Sequence, residues 1–462
     1  MDPLFLLAVW VGKLAQAVLR AAGKSATSFP GKLAIRVAPR VLEHLGRQLR
    51  RCVVVTGTNG KTTTTNLLSA MLRQSGPLIT NTEGANLQQG IVSAILEATS
   101  WFGRVRVPLA VLEVDEASLP LVAKYLPIRV LAVTNVFRDQ LDRYGELDTT
   151  VQKIVQGIAD TDAVIVLCAD DPLAHHIGRV SGKRAVYFGL HRDMAAEKAR
   201  DVMRDGAFCL QCGHELRYDG YFYGQLGLYV CPSCDFFRPH PDLIGRLANG
   251  KLEVAQGQLP VVSFDVPVRG LFNLYNELCA VTAARMCGLT AQQVATGLAS
   301  FRAPLGRMQA FTTRPASVLN LVKNPAGCDG VLQAIASERG PKVLCIAIND
   351  QAADGRDVSW LWDADFELVP EQASAVRVIT TGMRAEDMAL RLKYAGYDAR
   401  RTECIPNLDE GINHALLTAA QEGGLPVYVI STYTALYPAA QILRQKEAGP
   451  SDPVAQNRPS VS

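Results

Sequence analysis

Cys52-Val-Val-Val-Thr-Gly57-Thr-Asn-Gly60-Lys61-Thr62-Thr63 decides how the first half of the chain folds. Three valines in a row, without polar alternation, make a strand buried on both faces. Glycines at 57 and 60 permit a tight turn, and Lys-Thr-Thr opens a helix. Backbone N–H groups of such a turn converge on phosphate oxygens, and the helix N-terminus adds its dipole. In that setting Lys61 neutralises the β- and γ-phosphates, and the Thr62 hydroxyl coordinates Mg²⁺. Only two residues separate the glycines, a tighter spacing than the general phosphate-loop pattern. Strand and helix contexts agree with that function, against the blander reading of a plain Gly-rich turn. Gly57, Thr58, Asn59, Gly60, Lys61, Thr62 and Thr63 are therefore the candidate nucleotide-binding residues.

Downstream, short Val/Ile/Leu-rich runs alternate with helical stretches, as in a parallel sheet covered on both faces. The predicted strands are Cys52–Thr56, Leu109–Val114, Val130–Val136, Ala163–Cys168 and Arg184–Phe188. Helical periodicity returns at Asn273–Cys287 and Ala291–Phe301. A second α/β series follows, with strands Val318–Val322, Val343–Ile348, Val376–Thr380 and Val427–Ile430. The expected organisation is an N-terminal helical segment (1–45), an ATP-binding central domain (46–305), a C-terminal α/β domain of Rossmann-like type (306–447) and a disordered tail (448–462). Ala303-Pro-Leu-Gly-Arg307 joins the two α/β series.

Residues from about 200 to 240 interrupt this rhythm. Cys209-Leu-Gln-Cys212 and Cys231-Pro-Ser-Cys234 are two Cys-x-x-Cys knuckles with 18 residues between them. Each knuckle puts two thiolates on one turn, and two turns complete a tetrahedral S₄ site for Zn²⁺. Four protein ligands close the site, so its role is structural. Two redox pairs are the alternative. The other seven of the eleven cysteines are scattered through apparent strands and helices as small buried hydrophobes. That usage predicts a reducing, cytoplasmic setting.

Composition excludes the extremes. With 462 residues, 48% hydrophobic and 20% charged, the chain reads as globular with two to three domains. The net charge of +3 is unevenly spread, since residues 1–51 hold nine Lys or Arg against Asp2 and Glu43. A basic, partly amphipathic N-terminus can rest near anionic headgroups or an anionic substrate, at the inner face of a membrane, or be a solvated helix face. The apolar run Pro3–Val11 ends at Gly12-Lys13, too short to span a membrane, and reads as a helix packed on the body.

From Gly57-Thr-Asn-Gly-Lys-Thr-Thr63 onward, the sequence resembles the Mur ligase family, whose members phosphorylate a carboxylate with ATP and let an amine attack the acyl phosphate. Leu112-Glu113-Val-Asp115-Glu116 ends a strand where a family Glu holds Mg²⁺, a role the resemblance gives to Glu113. Thr134-Asn135 through Asp139-Gln140-Leu-Asp142-Arg143-Tyr-Gly145 looks like the family's Asn…Asp-His-Leu-Asp segment. Gln140 departs from the family's metal-binding His, which leaves a second Mg²⁺ unassigned, and Lys153 lies near a lysine that many relatives carbamylate, with unmatched spacing. Gly270-Leu-Phe-Asn273-Leu-Tyr-Asn276 resembles the element whose first Asn faces adenine, and Gly306-Arg307-Met308 the linker whose Arg reaches the nucleotide.

Only about 50 residues precede the phosphate loop, where cell-wall amino-acid ligases carry a nucleotide-sugar-binding domain. Folylpolyglutamate synthetases also start early but lack a Cys₄ ribbon. The combination resembles the MurT-type branch of the family, including Thr27-Ser-Phe-Pro-Gly31-Lys32 and Thr80-Asn81-Thr-Glu-Gly84-Ala-Asn86. That resemblance implies amidation of the D-Glu carboxylate in the lipid II stem peptide to D-isoglutamine, with ammonia from a GatD-type glutaminase subunit. It implies ATP and Mg²⁺ as cofactors, and gives Lys61 and Glu113 catalytic roles. No nucleic-acid partner is implied. In Ile348-Asn349-Asp350 to Asp363 it implies an aspartate that assists the partner's Cys–His pair, with Asp357 chosen and Asp354 second; an Asx-stabilised turn is the alternative. The chain shows no glutaminase nucleophile of its own. Rival readings are an amino-acid ligase such as a folylpolyglutamate synthetase and a non-catalytic scaffold.

Overall fold

The computed structural model describes residues 2–81, 85–138, 147–196, 205–257, 259–266, 270–302, 305–369 and 375–447. Asp139–Gly145, with Gln140, and the tail expected from residue 448 lie outside them. The chain divides into two compact units, residues 1–302 and 303–462.

The first unit is built on a nine-stranded sheet: β1 (Arg51–Thr56), β2 (Ile79–Thr80), β3 (Leu109–Glu113), β4 (Ile128–Val133), β5 (Val164–Cys168), β6 (Ala185–Leu190), β9 (Leu243–Ala248), β10 (Lys251–Gln256) and β11 (Leu259–Asp265). Their order is β11-β10-β9-β6-β5-β4-β1-β3-β2. From β9 to β2 neighbouring strands run parallel, and β9, β10 and β11 add two antiparallel pairs. β1 is buried from Cys52 onward, as its unbroken valines require. The antiparallel extension was missed in the sequence. Its signal is the alternation in β10, where Leu252 and Val254 turn inward while Lys251 and Glu253 are exposed.

The remaining strands of this unit, β7 (Arg217–Tyr223) and β8 (Leu226–Val230), form the two-stranded hairpin of the ribbon inserted between β6 and β9. Three helices precede the sheet: α1 (Pro3–Ala21), α2 (Phe29–Val37) and α3 (Val41–Gly46). Asp2 caps α1 by accepting from the Leu4 N–H at 3.0 Å, with Pro3 in the first turn. Here the sequence reading falls short, because α1 runs straight through Gly12-Lys13. A Cβ on Gly12 would lie 2.7 Å from Leu96 Cδ1, so the missing side chain lets α1 press against the body. Lys13 is pinned to the Leu96 and Thr99 carbonyls at 3.1 and 2.6 Å. At 19 residues and mean hydropathy 1.6, α1 is long and apolar enough to cross a membrane by length and composition, though its inner face packs on the body.

The second unit holds a six-stranded sheet of β12 (Gln309–Phe311), β13 (Ser317–Leu321), β14 (Lys342–Ala347), β15 (Ala375–Thr381), β16 (Thr402–Cys404) and β17 (Val427–Ser431), in the order β12-β13-β17-β14-β15-β16. All pairs but β12–β13 are parallel. Together the units give the α/β fold with a ribbon insertion and a Rossmann-like second body that the sequence predicts.

Candidate functional site

Three neighbouring strands deliver the phosphate-loop site. β1 lies between β3 and β4, with Val55 paired to Glu113 on one side and Thr56 to Val133 on the other. Side chains just past the C-terminal ends of all three therefore meet, the usual place for a ligand in an open parallel sheet. The helix α4 (Lys61–Leu72) starts there.

Gly57 and Gly60 both have positive φ, +114° and +81°. At Gly60 a Cβ would also lie 1.8 Å from Asn276 Oδ1, so only glycine fits. Asn135 fixes the turn, accepting from Thr58 N–H through its carbonyl and from Asn59 N–H through Oδ1, each at 3.0 Å. Thr134 Oγ1 donates to the Asn59 carbonyl at 2.7 Å. With those two loop amides engaged by Asn135, the first turn of α4 is where N–H groups remain for an anion.

Lys61 is the buried centre of the site. Its Nζ donates to the carbonyls of Gly57 and Thr58, at 2.6 and 3.2 Å, and to Glu116 Oε1 at 2.9 Å. The two side chains are only 8% and 6% exposed. Burial acts to lower the lysine pKa, but the carboxylates of Glu116, Glu113 and Asp115 outweigh it and hold the ammonium above its ordinary value.

Beside it, Thr62 Oγ1 donates to Glu113 Oε2 at 2.8 Å, and Asn86 Nδ2 donates to Glu113 Oε1 at 3.0 Å. Asn81 holds the strand end from both sides, accepting from Glu113 N–H and donating to its carbonyl at 2.8 and 2.7 Å. Thr62 and Glu113 thus stand together with oxygens of the kind a hard cation takes. Glu116, Asn81, Asn86 and Asn135 were not assigned roles from sequence. All four stand in segments quoted there, yet their contacts join residues 27 to 76 positions apart.

Asn273 sits in the helix Leu271–Met286 and is fully buried, accepting from Asn276 Nδ2 at 3.1 Å. Contact with the loop is made by Asn276, one turn on, against Gly60. Thr58 is tied into the same corner by its hydroxyl, which meets the Phe137 carbonyl and N–H at 3.0 Å. Thr63 is buried on the far side of the first turn. Arg307 belongs to the second unit, half-buried in the turn before β12.

In the ribbon, Cys209 and Cys234 sulfurs are 3.6 Å apart, Cys212 and Cys231 3.4 Å, and all four lie within 4.8 Å of one another. A Zn–S bond of about 2.3 Å in a tetrahedron sets sulfurs about 3.8 Å apart, so the donor set fits Zn²⁺. Knuckle bonds support each turn: Gly213 N–H to Cys209 O at 2.8 Å and Ser233 N–H to Cys231 Sγ at 3.4 Å. Tyr229 and Phe236 pack beneath. Leaving the ribbon, Arg238 Nε meets buried Asp170 at 2.6 Å, and Asp170 also accepts from Tyr275 OH at 2.7 Å.

The second unit separates the two candidate aspartates. Asp354 is buried and accepts from Gln351 N–H, Thr434 N–H and Thr434 Oγ1 at 3.0, 2.7 and 2.6 Å. Its task is to hold the loop. Asp357 is exposed, and its Oδ1 accepts from Ser359 N–H at 2.8 Å, a bond that holds its carboxyl below the usual carboxylate range. Asn324 caps the helix Pro325–Ser337 through Gly327 N–H at 2.8 Å, which accounts for Lys323-Asn324-Pro325 as a helix start.

Residues 55–213 match the family profile described as Mur ligase middle domain, and residues 321–436 the one described as MurT ligase C-terminal. Over 451 residues the chain is 37% identical to the lipid II isoglutaminyl synthase (glutamine-hydrolyzing) subunit MurT of Staphylococcus aureus (strain N315), covering 96% of this chain and 99% of that one. The like-named subunit of Streptococcus pneumoniae (strain ATCC BAA-255 / R6) is 32% identical over 449 residues, covering 96% and 97%. Among solved structures, the pseudomurein peptide ligase type C from Methanothermus fervidus has the same fold, with a TM-score of 0.66 at 22% identity over 86% of this chain and 78% of that one.

Proposed function

The chain belongs to the Mur ligase family, within the group of the MurT subunits it matches over 96% of its length, and from that premise we propose that it is the ATP-dependent synthetase of a lipid II amidating complex. The observation that carries this reading is the convergence of Lys61, Thr62 and Glu113 at one strand end in a chain with near full-length MurT relatives.

In this reading ATP lies on the first turn of α4. Lys61 leaves the Gly57 and Thr58 carbonyls for the phosphates and stays charged because Glu116 and Glu113 flank it. Thr62 and Glu113, the latter oriented by Asn86, would hold Mg²⁺, which supplies neutralising charge to the phosphate oxygens. An oxygen of the stem-peptide D-Glu carboxylate bonds to the γ-phosphorus as the bond to ADP breaks. Ammonia then adds to the carbonyl carbon of the acyl phosphate, phosphate departs, and loss of a proton leaves the amide of D-isoglutamine. A carboxylate and ammonia are already nucleophiles, so catalysis is positioning and charge neutralisation. Asn273 would complete the nucleotide contacts of the first unit.

Ammonia is supplied in this reading by a GatD-type glutaminase subunit. Asp357, exposed and ionised, is the residue offered to its catalytic His, and buried Asp354 shapes the loop. Zn²⁺ on Cys209, Cys212, Cys231 and Cys234 would be structural, since four thiolates leave no open position. The site of action is the cytoplasm, at the membrane face where lipid II is presented. Mass spectrometry of lipid II incubated with the chain, ATP and ammonium tests the reaction: the product should be about one dalton lighter, the change from carboxylate to amide. An unchanged mass with ATP consumed would sink it.

A further inference from the structure

The outward face of α1 carries the reverse of what a solvated helix carries. Leu4, Leu7, Trp10, Leu14 and Val18 recur at helical spacing and are 57, 45, 50, 61 and 58% exposed. They fall on one side, opposite the inner face of Phe5, Ala8, Val9 and Gly12. At 1.5 Å per residue the stripe is about 21 Å long. It is widened by a neighbouring turn, where Trp101 is 50% and Phe102 77% exposed. That turn is fixed to the helix: Trp10 Nε1 donates to the Trp101 carbonyl at 2.8 Å, and Lys13 Nζ lies 5.6 Å from the centre of the Trp101 ring.

Charges stand around this surface and not in it, and they are mostly positive. Lys24 follows the last turn of α1, and Arg104 and Arg106 flank the Trp101 turn, all three exposed. Residues 1–51 as a whole carry nine Lys or Arg and two acids. A long apolar stripe with two tryptophans, rimmed by cations, is the composition of a helix lying in the headgroup region of a bilayer. Its complement is a phospholipid surface of negative charge.

We propose that the outer face of α1, with Trp101 and Phe102, seats the protein flat on an anionic membrane. This rests on the reading of a lipid-linked substrate and adds how the enzyme reaches it: the inner face of α1 stays on the body while the outer face enters the lipid. The helix is an anchor in the plane of the surface.

The test separates docking from chemistry. The full chain is spun with phosphatidylglycerol vesicles and with phosphatidylcholine vesicles, without lipid II. Wild type should pellet with the first and much less with the second. Leu7→Glu with Leu14→Glu, both on the exposed face, should weaken pelleting at least tenfold. Arg104→Glu with Arg106→Glu should weaken it for phosphatidylglycerol alone. In the complex, the leucine variant should lose a like factor on lipid II in vesicles and keep wild-type amidation of a water-soluble, short-prenyl analogue. Wild type that stays in the supernatant with phosphatidylglycerol, or a leucine variant that pellets as well as wild type, overturns the proposal. So does a leucine variant whose defect is loss of self-association or of the glutaminase subunit, since the face would then be a protein interface. If no amidation of the soluble analogue occurs with any variant, the proposed reaction fails, and the vesicle result still decides the docking.

Discussion

Replacing Lys61 by alanine should do more than remove a phosphate contact. The ammonium is buried against Glu116 at 2.9 Å and also satisfies the Gly57 and Thr58 carbonyls. Removing it leaves a carboxylate that is 6% exposed with Asp115 as a second acid nearby. Breaking one side of a buried pair costs about 3–5 kcal/mol. At roughly 2 °C per kcal/mol for a unit of this size, the first unit should melt about 6–10 °C lower. A protein inactive for that reason says little about catalysis. Lys61→Met with Glu116→Gln removes both charges and keeps the volume, leaving only the Gly57 and Thr58 carbonyls short of a donor, so it should melt clearly above the alanine variant. It should still show no ATP turnover, because no cation remains for the phosphates. Calorimetry of the nucleotide-free protein and a phosphate-release assay read the two effects apart. An alanine variant that melts like wild type would refute the burial argument, and a double variant with near wild-type turnover would refute the role of Lys61.

Cys234→Ser should abolish stoichiometric zinc, read by elemental analysis of reduced protein, and unfold the ribbon; a parent without zinc ends that assignment. Asp357→Asn should lower glutamine-dependent amidation, on the order of 10²-fold or more if it orders the partner's imidazole as in triad chemistry, while ammonium-driven amidation survives. A loss of both activities would move Asp357 to the synthetase site or the fold. His175, stacked 4.7 Å from Phe236, is buried and its pKa falls to about 4, through burial first and then Arg179 and His176. The unfolded ring takes its proton near 6.5, so the unfolded state binds more protons between those values and stability is lost as pH falls through that window. From pH 7 to 5 the loss is about 1–2 kcal/mol after allowance for partial solvent contact. Buried Asp171, at about 6, runs the other way, so the comparison of melting at both pH values must be made against His175→Phe, which should lose less. Equal losses would remove His175 from the account.

What the sequence made legible was local. Unbroken valines before Gly57 gave β1, paired Cys-x-x-Cys turns gave the ribbon, and Lys61 and Thr62 declared themselves by position in a strand–turn–helix. The unread parts depend on contacts made only in the fold. Glu116 lies 55 residues from the lysine it neutralises, and Gly60 rests on Asn276 from another helix altogether. Asp354 and Asp357 are indistinguishable as letters three apart; burial under Thr434, 80 residues on, separates them. At α1 a local rule misled, since Gly12-Lys13 reads as an end where packing on Leu96 makes it an interior.

Asp170 gives the ribbon a reach beyond its own turns. It takes Arg238 as the chain returns from the four cysteines, and on its other oxygen it takes Tyr275. The next residue along that helix is Asn276, whose side chain fills the space a Cβ on Gly60 would need. Sulfur geometry and the curl of the phosphate loop are therefore linked through one buried carboxylate and two adjacent residues of a helix. Metal content and nucleotide affinity should therefore move together: protein stripped of ribbon metal is expected to bind ATP more weakly than metal-replete protein, and equal affinities in a nucleotide titration would break the link.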